Sequence, residues 1–93
     1  MFVGVLQVEL ALSKARSLKE KRQTVKSILD RIRASFNVSA AEIDALDAHQ
    51  RAVLGLSAVS NDADHVRGLL QQVLNHLSRH PVARVVDHQI EVL

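Results

Sequence analysis

The sequence predicts an α/β (α+β) domain in which two helices share one face of a four-stranded, mostly antiparallel sheet. Three observations carry this. Two stretches repeat apolar residues at helical spacing, and four shorter stretches alternate or run apolar as strands do. Their order along the chain is β-α-β-β-α-β. With 93 residues and 47% hydrophobic content there is material for one core and one domain spanning 1–93.

Residues 2–12 read as the first strand. Phe2, Leu6, Val8, Leu10 and Leu12 share one parity and form the better core face. Val3, Val5, Gln7, Glu9 and Ala11 take the other, half-polar face. Residues 17–36 read as a helix. Ser17 and Glu20 have capping-box spacing, and Val25, Ile28, Leu29, Ile32 and Phe36 form the buried stripe. Asn37 is the expected stop, in the left-handed conformation that Asn tolerates.

Residues 38–46 read as an Ala-rich strand and 47–51 as a polar turn. The third strand is 52–60, with Leu54, Leu56 and Ala58 on one face and Val53, Gly55, Ser57 and Val59 on the other. A second helix over 61–79 is capped by Asn61 or Asp62. Its apolar stripe is Val66, Leu69, Leu70, Val73, Leu74 and Leu77, and Pro81 closes it. Residues 83–93 form the last strand, with Val86, Ile90 and Val92 on one parity. Helices of this length cannot bury both stripes on each other and still cover four strands. They pack side by side on one sheet face, which is the ferredoxin-like arrangement.

Charge is distributed unevenly. Residues 14–33 hold eight Lys or Arg against Glu20 and Asp30, a net +6, while the whole chain is only +2. Lys19, Lys21 and Arg22 crowd the first turn and a half of the helix, where the macrodipole disfavours cations. A helix N-terminus flanked by cations suits a phosphate. Lys19, Arg22, Lys26 and Arg33 fall on one flank of the apolar stripe and Lys21 on the opposite flank, with Lys14 and Arg16 in the preceding loop. These seven residues are the candidate anion or nucleic-acid contacts. The bland alternative is a solvated helix face in which Asp30 pairs with Lys26 and Arg33.

Other chemistry is thinly represented. The absence of cysteine excludes disulfides and thiol chemistry. The N-terminus lacks a signal-peptide pattern and no apolar run reaches bilayer length, so a cytoplasmic protein with no membrane partner is expected. His76 and His80 are spaced as a metal pair, but no HExxH pattern or third ligand accompanies them. Asp44, Asp47 and His49 read as a polar turn. No GxSxG elbow or glycine-rich phosphate loop is present. No catalytic residue, cofactor or metal is therefore assigned, and an enzyme is not expected. With Phe2 and Phe36 the only aromatics, contact with RNA would run through phosphates and not stacked bases. Val3, Val5, Val53 and Val59 fall on the sheet face away from the helices and form the candidate face for a homodimer.

The run Ser-Leu-Lys-Glu-Lys-Arg at 17–22 is joined by Lys26-Ser27, Arg31-Ile32-Arg33, and Phe36-Asn37-Val38-Ser39 leading into Ala41-Glu42. Asp47, Gln50 and Leu54-Gly55-Leu56 follow. This pattern resembles the YlxP-like family of small bacterial proteins of unknown function over essentially the whole chain. His49 departs from the family pattern, which has an aromatic before the Gln. The resemblance implies a ferredoxin-like fold, a cytoplasmic location and association with RNA or the ribosome, and it supplies no catalytic residue. A non-enzymatic RNA- or ribosome-associated module is the first expectation. A homodimeric interaction module using the open sheet face is the alternative.

Overall fold

Strand β1 (Phe2–Ala11) pairs on both sides, and its apolar alternation seals one face from Gly4 to Leu10. Leu6, Val8 and Leu10 are fully buried. The computed structural model describes all 93 residues. After β1 come α1 (Leu18–Ser35), β2 (Ser39–Asp44), β3 (Arg51–Ser60), α2 (Ala63–Ser78) and β4 (Arg84–Val92). The sheet order is β2-β3-β1-β4 with every neighbouring pair antiparallel, which is the predicted ferredoxin-like fold.

One core of buried residues joins the inner faces of β1 and β3 to the stripes of both helices. α2 lies over β1, β3 and β4, and α1 lies against β2. The α1 stripe is Val25, Ile28, Leu29 and Ile32; that of α2 is Val66, Leu70, Val73, Leu74 and Leu77. Gly4 of β1 sits where α2 comes closest: an added Cβ would lie 2.1 Å from Val66 Cγ1. Ser17 caps α1 by accepting the Glu20 N–H at 3.1 Å. Asp62, one of the two candidates, caps α2 by accepting the N–H groups of Asp64 and His65. No helix is long and apolar enough to cross a membrane.

Four local expectations are corrected. α1 ends at Ser35, Phe36 is extended and donates its N–H back to Ile32 O, and Asn37 does not take positive φ. β2 stops at Asp44 because Ala45 turns into the left-handed region at φ 58°. In β4 the apolar residue facing the helices is Val85, not Val86. A bulge opposite Glu9 and Leu10 shifts the parity, so Val85 joins Ile90 and Val92 against the core while Val86 is 41% exposed. Val53 does lie on the open face, opposite Glu9, but it is only 3% exposed and offers no surface to a partner.

Candidate functional site

The basic segment divides into three groups with different physical roles. The first is Lys21 alone. Its predicted place among the anion contacts is corrected: it is completely buried, in the apolar stripe of α1. Its Nζ meets Glu42 Oε2 at 2.5 Å and donates to Ala45 O at 2.9 Å and Leu46 O at 3.3 Å. Glu42 Oε2 is itself buried without a conventional hydrogen-bond partner, so the Lys21 charge is what compensates it. The ammonium holds the helix onto β2 and fixes the turn after it. That turn needs fixing, because Ala45 is a non-glycine residue at positive φ.

Lys26 and Arg33 form the second group, and both are engaged on the protein's own surface. Lys26 Nζ lies 2.7 Å from Asp30 Oδ2 and Arg33 Nη1 lies 3.6 Å from Asp30 Oδ1. The Lys26 hydrogen bond, aided by the charges of Lys26 and Arg33, holds the exposed Asp30 carboxyl below its ordinary range. Arg33 also donates through Nη2 to Ala40 O at 2.6 Å, covering the outer edge of β2.

Lys14, Arg16, Lys19 and Arg22 form the third group. All four are exposed and none has a carboxylate within ion-pair distance. They lie within nine residues that join the loop after β1 to the first turns of α1. The helix N-terminus between them is partly capped. Glu20 Oε2 accepts the Arg16 N–H at 2.7 Å, while Ser17 Oγ takes the Glu20 N–H. The N–H groups of Leu18 and Lys19 keep no protein acceptor, so an anion at this end meets the cationic side chains and these two amides, beside the Glu20 carboxylate. Arg31, outside the predicted set, belongs elsewhere: its charge acts on His80, whose pKa is held low by burial first and by the Arg31 guanidinium next.

The loop bearing Lys14 and Arg16 is anchored. Gln50 Nε2 donates to Ser13 O at 3.3 Å and Ala15 O at 3.2 Å, and Gln50 O accepts the Leu12 N–H at 2.9 Å. One residue of the β2–β3 turn thus fastens the first loop on both sides of Lys14. Gln50 and Glu42 were visible in the sequence only as members of the recurring pattern. Their partners are twenty or more positions away, so spacing alone could not assign them a role. The motif at 17–22, with Glu42 and Gln50, is largely scaffold: Ser17 and Glu20 cap, Lys21 pairs, Gln50 anchors. What it presents to solvent is the cationic loop and helix start.

The open sheet face is mixed, and Ile43, 51% exposed, lies over Gly55 near its middle. At one end Val3 is half-buried, Val5 36% exposed and Val59 64% exposed, whereas the other end carries Gln7, Glu9, Asp44, Arg51, Asp87 and Gln89 around a small polar depression. Arg51 reaches Glu9 with Nε at 3.0 Å and Nη2 at 3.2 Å. This bond lowers the Glu9 pKa. Neither phenylalanine lies on this face. Phe2 has the inward parity of β1, and Phe36 packs edge-on against His76 with centroids 5.6 Å apart. His80 Nδ1 accepts the Val82 N–H at 3.2 Å.

Fold and surface together define a small ferredoxin-like α+β domain with a mixed polar and apolar open sheet and a cationic loop–helix end. A family model described as "Protein of unknown function (DUF503)" matches residues 3–90, and the chain belongs to that family. It is also 39% identical over 79 residues to "Uncharacterized protein YlxP" of Bacillus subtilis (strain 168), covering 85% of this chain and 86% of that protein.

Proposed function

We propose that this protein is a non-enzymatic module that associates with RNA, in a ribosomal setting, through phosphate contacts made by Lys14, Arg16, Lys19 and Arg22. The observation that carries the reading is that these four cations are exposed, unpaired and mounted on an anchored segment. Elsewhere, Lys26, Arg33, Arg51 and Arg67 spend their charge on neighbouring carboxylates, and the other exposed unpaired cations, Arg31, Arg79 and Arg84, are single residues outside this segment. Phosphates are the natural ligand for such a group, because several cations in sequence bind a polyanion by releasing its counterions. The lack of aromatics on the open face favours backbone contact over base stacking.

Binding to ribosomal RNA or to isolated ribosomal subunits, followed by filter retention or fluorescence anisotropy, tests this. Four phosphate contacts give a slope of log affinity against log salt of about −3. Lys19→Glu with Arg22→Glu is expected to lower affinity at least about tenfold and to flatten the slope by about one to two units. Lys26→Glu should matter less, since Lys26 already serves Asp30. Retention of full affinity and slope in the Lys19→Glu/Arg22→Glu protein removes the proposal.

A further inference from the structure

We infer that β4 is a homotypic docking edge, along which a second copy of this chain adds antiparallel about a two-fold axis at His88. The two edges of the sheet are treated differently by the fold. The β2 edge is short, bulged between Glu42 and Asp44, and covered by the Arg33 guanidinium on Ala40 O. β4 is nine residues long and no other strand pairs with its outer side. An uncovered edge of that length is a template for another strand.

The outward-facing backbone groups follow from the pairing with β1. Leu93 and Val3 exchange both N–H···O bonds, at 2.7 and 3.0 Å. Alternation along the ladder then directs the groups of Glu91, Gln89 and Asp87 toward β1, and those of Ile90 and His88 outward. Beyond the bulge, Arg84 faces β1 and Val85 faces outward. The bulge lets Val86 and Asp87 occupy one position of the ladder.

Counted this way, β4 is complementary to itself. With His88 facing His88 of the second copy, Val86 and Asp87 oppose Gln89, Val85 opposes Ile90, and Arg84 opposes Glu91. Each opposed pair lies on one face of the sheet: Val85 and Ile90 on the helix side, Arg84 and Glu91 on the open side. The outward residues Val85, His88 and Ile90 meet outward residues, so backbone donors meet acceptors throughout. Without the bulge, Arg84 and Glu91 would point to opposite faces and no symmetric register would join them. The docked copy also covers Val85 and Ile90, which are only partly buried where the core meets the edge of the sheet. The product is the four-stranded sheet doubled across one seam, with two Arg–Glu pairs fixing its register.

The chain contains no cysteine, which makes the test clean. In a hydrogen-bonded antiparallel pair the two Cα atoms are about 5.5 Å apart, inside the range of about 4.4–6.8 Å that a disulfide spans. His88→Cys is therefore expected to give a covalent dimer on mild oxidation, and Val59→Cys, on the open face, is not. In sedimentation equilibrium, Glu91→Arg is expected to weaken self-association by about tenfold or more, because two attractive cross-strand pairs become repulsive. The exchange Arg84→Glu/Glu91→Arg should restore it. A chain that stays monomeric at the highest soluble concentration and does not cross-link through His88→Cys overturns the inference. So does a dimer trapped by Val59→Cys and not by His88→Cys, which would place the interface on the open sheet.

Discussion

Replacing Lys21 by Met is expected to destabilise the domain by about 3 kcal/mol. That is a large share of the roughly 5–15 kcal/mol by which a domain is stable at all. Met preserves most of the stem that packs in the α1 stripe, so the loss falls on the ammonium. Without it, Glu42 Oε2 has no compensating charge, and Ala45 O and Leu46 O lose a donor. Glu42 retains 14% exposure, so its carboxylate relaxes partly toward water; this is why the cost belongs at the low end for a broken buried pair. The left-handed Ala45 also loses the bond that holds its carbonyl in place. Urea unfolding of Lys21→Met beside Lys19→Met separates this from a generic loss of positive charge. Lys19 is exposed and unpaired, and its replacement should stay within about 0.5 kcal/mol of the parent. Removing both partners, Lys21→Met with Glu42→Leu, should recover most of the loss, since an apolar pair leaves no charge to desolvate. Equal midpoints for Lys21→Met and Lys19→Met would mean that the buried pair holds nothing together.

Lys21 also shows how far the sequence was legible. Its spacing to Val25, Ile28 and Ile32 is i, i+4, i+7 and i+11, which puts it inside the apolar stripe. The same helical geometry that grouped Lys19, Arg22, Lys26 and Arg33 on one flank therefore already separated Lys21 from them. A lysine in a buried stripe demands a partner, but that partner depends on how β2 lies against α1, which no local spacing encodes. Element order follows from apolar periodicity and the ferredoxin-like arrangement from that order, and that part of the fold was readable throughout. The two bulges were not. Each comes from how one strand settles against another, and each changes which side chain takes a given place: Val85 in place of Val86 toward the core, and Asp44 in place of Ile43 opposite Val53. Val53 illustrates a further limit. Parity gave its face correctly, yet not its burial there, at 3% exposure beside Glu9 and Arg51. On the cationic surface, sequence supplied the residues, and only the contacts divide those that are free from those already paired.

Gly4→Ala is expected to cost about 2–3 kcal/mol, although local propensity argues for the opposite sign. Alanine loses less backbone entropy than glycine, and an ordinary strand position would gain about 0.5–1 kcal/mol from the change. Gly4 is not at positive φ, so its backbone would accept a side chain; space is what forbids one. The new methyl would lie 2.1 Å from Val66 Cγ1 and 2.7 Å from Leu70 Cδ1. Both residues are fully buried. Leu70 Cδ1 is the end of a flexible chain and has some freedom to turn away. Val66 is β-branched on a helix and has one strongly preferred χ1, so relief requires α2 to lift from β1. Gly68 supplies the contrasting case within the same helix. A Cβ there meets nothing within 4 Å, and Gly68→Ala should stabilise by about 1 kcal/mol through helix propensity alone. Thermal or urea unfolding of the two glycine variants should therefore move in opposite directions. Shortening the obstructing side chain discriminates further: Val66→Ala is destabilising in the parent, but should be less so, or favourable, in the Gly4→Ala background, because the cavity it opens takes the added methyl. Strict additivity of Gly4→Ala and Val66→Ala would show that β1 and α2 do not meet at this point, and the close approach that seats α2 over the central strand would have to be abandoned.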